Sequence, residues 1–403
     1  IVRVGTYKSA VEPFMLTHMS DANKLQTQTF LNNIWNNMVN SIAVSRKMKT
    51  TAINAFADSM DTYKAPTVAV KAKLIDGLCY EHQFESKIKQ IIGQDDTDDL
   101  NFVSTFDLNH SSKKQKLASD KIAVLYAVGD INVSGVANAI NSEDMVPIIL
   151  DLAKDDDIKG LVVRVNSPGG SAFASEQIWE ALSQFKKEGK PFAVSMGDYA
   201  ASGGYYISCG ADRIFAEPTT ITGSIGIFGM IPSFENLMTE KLGINVEFIT
   251  TNANSDMSTF KRLTPVQRAS LQKMVNRGYE LFTSRCATGR KMPVDSLKKI
   301  AEGRVWDAQS ALKIGLVDEF GNIDNAVEWV VAKKAHLAEN YSVVEYPEYK
   351  EDLMNMLLTS LSNSAYEAKM ESLYGDSFKY LQEIRNILNQ DKLQCRMMNI
   401  SIE

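Results

Sequence analysis

Three apolar runs spaced by segments of helical periodicity constrain this chain more than any other feature. The run 122–131, IAVLYAVGDI, is β-rich with few polar residues and reads as a buried strand. Asp144 to Asp155 reads as a helix. Leu161-Val162-Val163-Arg164-Val165 is a second buried strand, ending in the turn Asn166-Ser167-Pro168-Gly169-Gly170. From Ser171 to Lys187 the chain places Ile178, Leu182 and Phe185 on one helical face. Phe192-Ala193-Val194-Ser195-Met196 is a third strand. Strands alternating with helices need crossover connections, so the fold class is α/β, with a largely parallel sheet and flanking helices. Catalytic groups in such sheets collect beyond the carboxyl ends of the strands. The 166–170 turn and Ser202 both fall there.

At 403 residues the chain exceeds one compact core and divides into two or three units. It also carries an internal repeat. Ser45-Arg46-Lys47-Met48 matches Gly289-Arg290-Lys291-Met292. Farther on, Ala69-Val70-Lys71 and Leu74-Ile75-Asp76 match Ala311-Leu312-Lys313 and Leu316-Val317-Asp318 at nearly the same spacing. Ser20-Asp21 and Thr264-Pro265 both open long helical stretches with a cap and a good first-turn residue. Residues 121 to about 245 have no counterpart ahead of Ile1, and Ile1-Val2-Arg3-Val4 reads as mid-strand. The expected organisation is therefore an incomplete first repeat over 1–92, a polar linker over 93–118, a complete second repeat over 119–340 and a helical extension over 341–403. In that extension Met354, Leu357, Leu358 and Leu361 recur at helical spacing, as in a packing helix. A membrane anchor is expected to belong with the absent front half.

An apolar fraction of 44% and a charged fraction of 23% are ordinary for a globular protein, and at a net charge of −6 no basic tract stands out, which excludes a nucleic-acid partner. No apolar run is long enough to span a bilayer. Cys79, Cys209, Cys286 and Cys395 lack the spacing of a metal site or a disulfide framework and read as packed or free thiols. Neither metal nor cofactor is expected.

The chemistry sits in three short runs. Ala200-Ala201-Ser202-Gly203-Gly204-Tyr205 places a serine at the mouth of a helix, where the N–H of Gly203 can face an oxyanion. Alone, the run also fits a capping serine in a glycine-rich turn. Ser167-Pro168-Gly169-Gly170 exposes further backbone N–H groups, although a plain strand-to-helix turn would look the same. Together the two runs can form a two-sided oxyanion hole. Thr222-Gly223-Ser224-Ile225-Gly226 is either a simple turn or part of the same site. None of the four histidines, His18, His82, His110 and His336, lies beside a Ser-Gly run. A serine nucleophile then needs another base; a lysine serves when burial lowers its pKa, and Ser224 can orient it.

The succession SPGG, MGDYAASGGYY and TGSIGIFG strongly resembles the signal peptide peptidase A family. The opening Gly5-Thr6-Tyr7-Lys8-Ser9-Ala10-Val11-Glu12-Pro13-Phe14 resembles the base-carrying segment of that family's long, duplicated form, and the resemblance runs from residue 1 to about 335. It implies two tandem crotonase- and ClpP-like repeats, the first incomplete here. It implies a serine endopeptidase with Ser202 as nucleophile and Lys8 as general base. Ser224 would orient the lysine, and Gly203 with Gly170 of the SPGG turn would form the oxyanion hole. It further implies cleaved, hydrophobic signal peptides as substrates, a dome-like homotetramer, and a place at the bacterial inner membrane with the active part on the periplasmic side.

Two departures stand out. Asp198 occupies a position where a small neutral residue is expected, and an acid there would favour a charged lysine. The absent front half of the first repeat would remove packing expected to bury Lys8. Two other classes compete. One is an acyl-CoA enzyme of the crotonase superfamily, which shares the sheet and the oxyanion hole but relies on a carboxylate pair. The other is a non-catalytic, peptide-binding scaffold.

Overall fold

The computed structural model describes residues 1–95, 99–104, 118–334, 337, 340–347 and 392–397. The chain forms two compact units, one of Ile1–Leu31 with Ala118–Glu403 and one of Asn32–Leu117.

The larger unit is α/β. Its strands in chain order are β1 (Val2–Arg3), β2 (Lys121–Val128), β3 (Ile131–Asn132), β4 (Ile140–Asn141), β5 (Ile158–Ser167), β6 (Gly169–Ser171) and β7 (Phe192–Ala201). They continue with β8 (Arg213–Ala216), β9 (Ile221–Gly223), β10 (Phe228–Gly229), β11 (Val305–Asp307), β12 (Glu319–Phe320), β13 (Ser342–Tyr346) and β14 (Leu393–Arg396). The main sheet runs β11-β9-β7-β5-β2-β13, with β8 and β12 joined beside β7. Only β11 is antiparallel to its neighbour there. Near-continuous apolar sequence in β2, β5 and β7 follows from burial on both faces. One face packs the helices Ser142–Lys154 and Ala172–Lys187 in a core that includes Leu125, Val163 and Val194. The other face packs Ile122, Val124 and Val162 against Val330 of the helix Ile323–Lys333.

The three strands expected from sequence are present, and two are longer than expected: β5 extends to Ser167 and β7 to Ala201. The run 122–131 is broken at Gly129, and its last residue enters a second sheet through β3. That sheet has the order β1-β10-β14-β6-β3-β4. The SPGG run is not a plain turn: Gly169–Ser171 is a strand of this second sheet.

The smaller unit is helical, with Thr50–Asp58, Thr67–Lys71 and Glu81–Ile92 beside the later turns of Asp21–Arg46. A small cluster of Val39, Ala43 and Ile53 holds it, with Arg46 on Asp76 at 2.7 Å.

The repeated segments close their helices alike. Lys47 and Lys291 both adopt positive φ, at 53° and 54°. The next residue in each, Met48 or Met292, donates its N–H to Ala43 or Ala287 at 2.9 Å. Leu74 and Leu316 likewise bond back to Ala69 and Ala311. These are left-handed helix terminations at corresponding places in the two matching segments. The helices start where the caps indicate, at Asp21 and Pro265. The four cysteines are free thiols, with only Cys79 exposed. Met354, Leu357, Leu358 and Leu361, and most of the 93–118 linker, lie outside the described residues. Among the described residues no helix is long and apolar enough to cross a membrane.

Candidate active site

Strand β7 ends at Ala201, and the chain turns sharply into the helix Gly203–Ser208. Ser202 makes the turn at φ 56°, ψ −111°, a region that side-chain-bearing residues rarely occupy. Gly223 O holds its N–H at 2.8 Å, and its own carbonyl accepts from Tyr206 at 2.8 Å. Two glycines must follow because the turn is jammed against its neighbours. A Cβ on Gly203 would lie 2.7 Å from Ser175 Oγ, and one on Gly204 would lie 2.6 Å from Ser167 O. The Ser202 hydroxyl makes no capping bond, so the capping reading fails. Lys8 Nζ lies 2.8 Å from it.

Lys8 reaches this point from the amino-terminal segment. Strand β1 pairs antiparallel with β10, Val2 opposite Gly229. At φ +102°, Gly5 lies so close to the Glu302 carbonyl that a Cβ would be 2.2 Å from its oxygen, and Tyr7 N–H donates to that same oxygen at 3.0 Å. The lysine stem then passes over Gly303 and Gly226, whose added Cβ atoms would lie 2.6 Å from Lys8 Cβ and 3.3 Å from Lys8 Cδ. Lys8 is only 1% exposed, so this chain buries it without further packing, contrary to the expectation from the absent half-repeat.

A buried polar cluster fixes the segment from behind. The Glu12 carboxylate accepts from Ser20 Oγ at 2.6 Å and from Asn23 Nδ2 at 3.0 Å, with Arg3 Nη1 at 3.6 Å. Burial pushes its pKa up, but those hydrogen bonds and the Arg3 charge outweigh that and hold it below the usual carboxylate range. Arg3 also donates to Lys8 O at 2.9 Å. Gln26 Nε2 donates to Tyr7 O and Ser9 Oγ, while its Oε1 accepts from Val305 N–H.

Burial brings the Lys8 pKa down to about 7, with the nearby Cys395 thiol a small opposing influence. Asp198 is exposed and is not among the groups that shift Lys8, so the acid expected to keep the lysine charged does not do so. Besides Ser202, Nζ has two partners, Ser224 Oγ at 3.0 Å and Ser224 O at 3.1 Å. The Ser224 carbonyl can only accept. The Ser224 hydroxyl donates to Gly303 O at 3.3 Å, so toward Nζ it accepts as well. A neutral amine has two N–H donors and one lone pair, and both donors are thereby engaged. The lone pair is left for the Ser202 O–H, which fixes the direction of proton transfer from serine to lysine.

Ser224 has φ 50°, with its N–H on Arg304 O at 2.6 Å. The TGSIG run is thus part of the site, Gly223 holding Ser202 and Ser224 the lysine.

The remaining glycines converge opposite the lysine. Strand β14 lies between β6 and β10, antiparallel to both. Its register sets Cys395 against Gly170, and Met397 N–H donates to Pro168 O at 2.8 Å. Alternation in an antiparallel ladder then makes Gly170 and Cys395 the next pair to exchange N–H···O bonds, so the Gly170 N–H points at the Cys395 carbonyl. A Cβ on Gly169 would sit 2.2 Å from that oxygen and 2.7 Å from Gly203 N. The backbones of Gly170 and Gly203 therefore flank one carbonyl oxygen.

The sequence-predicted residues Ser202, Lys8, Ser224, Gly203 and Gly170 are all brought to this one place. Sequence reasoning missed Gly303, Gly226, the Glu12–Asn23–Gln26 cluster and Cys395. A glycine in a loop ahead of a short strand carries no recognisable signal. The paired polar side chains Glu12 and Asn23 lie one helix start apart and offered only a weak one.

A model of peptidase family S49 matches residues 1–94 and 184–337, and a Clp protease model matches 113–221. The first covers Lys8, Ser202 and Ser224; the second covers the SPGG strand. The chain is 35% identical over 407 residues to Protease 4 of Haemophilus influenzae, covering 97% of this chain and 66% of that one. It is 34% identical over 372 residues to Protease 4 of Salmonella typhi, covering 90% and 59%. It is 30% identical over 272 residues to a putative signal peptide peptidase SppA of Enterococcus faecium, covering 66% and 77%. The chain thus spans less than two thirds of the length of either Protease 4 relative.

Proposed function

The chain belongs to peptidase family S49, and from that premise we propose that it is a serine endopeptidase degrading cleaved signal peptides through an acyl-enzyme on Ser202. Ser202 Oγ attacks the scissile carbonyl as its proton passes to the neutral Lys8 amine. The developing oxyanion is held by the N–H groups of Gly170 and Gly203. Lys8 returns the proton to the leaving amine, then activates the water that hydrolyses the ester. Ser224 keeps the amine's lone pair on the nucleophile throughout. The observation that carries this reading is the buried amine brought down to about 7, standing 2.8 Å from the Ser202 hydroxyl.

The substrate reading rests on the facing edges of β6 and β10, which here hold the extended strand β14 between them and so suit an extended peptide, and on the family resemblance for its hydrophobic character. By the same resemblance the working form is a homotetramer at the bacterial inner membrane, held by an amino-terminal anchor with its active part on the periplasmic side. A fluorophosphonate probe tests the core of the proposal. It is expected to label Ser202 in the parent and to leave Ser202→Ala and Lys8→Ala unlabelled. Labelling of Ser202→Ala to the parent's extent would move the nucleophile elsewhere.

A further inference from the structure

The Lys8 segment and the stretch 303–307 lie against each other, and both alternate between inside and outside. Lys8, Gly303, Val305 and Asp307 are buried, whereas Tyr7, Arg304 and Trp306 are half-buried. The lysine stem passes through the inner layer, where a Cβ on Gly303 would lie only 2.6 Å from Lys8 Cβ. A cation joins the outer layer. Arg304 Cζ stands 4.0 Å from the ring centre of Trp306 and 5.0 Å from that of Tyr7.

Arg304 is tied to the site through its backbone as well. Its carbonyl accepts the Ser224 N–H at 2.6 Å. A Cβ on Gly223, the residue holding the Ser202 N–H, would lie 3.0 Å from that same carbonyl oxygen and 2.7 Å from Trp306 Cδ1. Trp306 is fixed in turn by its Nε1, which donates to Ile300 O at 3.0 Å. The guanidinium Nε has no such polar anchor: it is buried and without a hydrogen-bond partner among the described residues, a costly state for a charged donor. Ring faces are the contacts that offset the cost, and a planar guanidinium can lie flat on them, as an ammonium cannot.

We propose that Arg304 is a positioning residue for the base: by stacking on Tyr7 and Trp306 it clamps the Lys8 segment to the Ser224 turn and closes the outer side of the amine's compartment to water. The proposal rests on Lys8 being the base. Arg304 works through packing and not through contact with the reacting atoms. Among the charged and titratable groups about this layer, Arg3 donates to Lys8 O, and Glu12 is held by Arg3, Ser20 and Asn23. The Tyr279 hydroxyl accepts the Glu302 N–H, and the Glu302 side chain ends in solvent. The Cys395 thiol is the one charge influence on the amine, and it is small beside burial. The amine stays neutral because it is covered, so it stays neutral only while the cover holds.

The test is a set of pH–rate profiles of the full chain on a fluorogenic apolar peptide, with fluorophosphonate labelling of Ser202 alongside. In Arg304→Met the midpoint of kcat/KM is expected to rise from about 7 by about one pH unit, so that activity at pH 7 falls about tenfold while the high-pH plateau stays within about threefold of the parent's. Arg304→Lys keeps the charge but cannot lie flat on the rings, and is expected to move the midpoint the same way. Tyr7→Ala should reproduce that rise with the arginine in place, and Tyr7→Phe, which keeps the ring, should return the midpoint to the parent's. If Arg304→Met does not fold, Tyr7→Ala carries the decision. An unmoved midpoint in these variants, with activity lowered equally at every pH or not at all, overturns the clamp alone. So does a rise in KM with the midpoint fixed, which would make the guanidinium a seat for a substrate carboxylate. A Lys8→Ala chain labelled at the parent's rate overturns Lys8 as base and this proposal with it.

Discussion

Ser224 meets the Lys8 amine twice, with its hydroxyl at 3.0 Å and its own carbonyl oxygen at 3.1 Å. One residue thus engages both donors of a neutral amine and leaves its lone pair to Ser202. Losing the hydroxyl would leave one N–H free to rotate. Ser224→Ala is therefore expected to lower kcat by about one to two orders of magnitude, within the range of general-base effects, with KM nearly unchanged. Steady-state kinetics on an apolar peptide check this, and a change confined to KM would contradict the orienting role.

The pH dependence follows from Lys8. Only the neutral amine accepts a proton, so kcat/KM is expected to rise with pH through about 7 and to level off above it. Lys8→Arg keeps the charge and cannot lose it, so it is expected to be as inactive as Lys8→Ala, lower by about 10²–10⁴-fold. A pH–rate profile of parent and arginine variant decides the matter. Substantial activity in the latter would remove Lys8 as base.

The same burial costs stability. A lysine whose folded pKa is lowered binds fewer protons folded than unfolded between about 7 and 10.5, so its penalty is full below that window and fades as pH rises through it. Lys8→Met is expected to raise the unfolding free energy at pH 7, read from urea denaturation, by up to about 4 kcal/mol before the loss of hydrogen bonds to Ser202 and Ser224 is counted. The gain should shrink toward pH 10. A difference between parent and variant that grew with pH would have the wrong sign for a buried lysine.

Gly303 tests the packing. It has φ +75°, and an added Cβ would press on Lys8 Cβ at 2.6 Å. Gly303→Ala is expected to keep the α/β fold, measured by circular dichroism, but to cost at least about 1 kcal/mol of stability and to displace the amine. Fluorophosphonate labelling of Ser202 should slow by about tenfold or more; labelling at the parent rate would show that the lysine stem has room.

The strained turn gives a paired prediction. Ser202→Gly relieves φ 56° and is expected to be inactive yet more stable than the parent by about 1 kcal/mol. Ser202→Thr keeps a hydroxyl but places a β-branched residue in that conformation, so it is expected to be less stable and nearly inactive. Equal thermal midpoints for the glycine and threonine variants would mean that the turn stores no strain.

The strands of the main sheet were legible because burial on both faces leaves long apolar runs such as Leu161–Val165, and the Ser202 turn was legible because few structures need Ala-Ala-Ser-Gly-Gly. Lys8 was not legible from its surroundings. It stands 194 residues from Ser202, and its burial comes from Gly226 and Gly303, glycines distant in sequence whose importance lies in the side chain they lack. Asp198 misled because nearness in sequence says nothing of direction: the residue ends in solvent. The strand inside SPGG was hidden because its pairing partners, Ile131 and Cys395, are set by tertiary contacts, and Leu393-Gln394-Cys395-Arg396 has no pattern that marks it as a strand.

The order β1-β10-β14-β6-β3-β4 has a consequence for what the groove can accept. Lift out the fourteenth strand and the sheet parts into two ribbons, one carrying the lysine's anchor at Val2–Arg3 and the other the SPGG strand. A peptide in the groove is the stitch that closes the seam between them. Stitching is done by amide groups, which every sequence shares, so broad tolerance toward side chains is built into the arrangement. Intolerance toward altered backbones comes with it. A proline or an N-methylated residue at the position facing Gly170 has no N–H to offer its carbonyl, and the seam would stay open however well the neighbouring side chains fit.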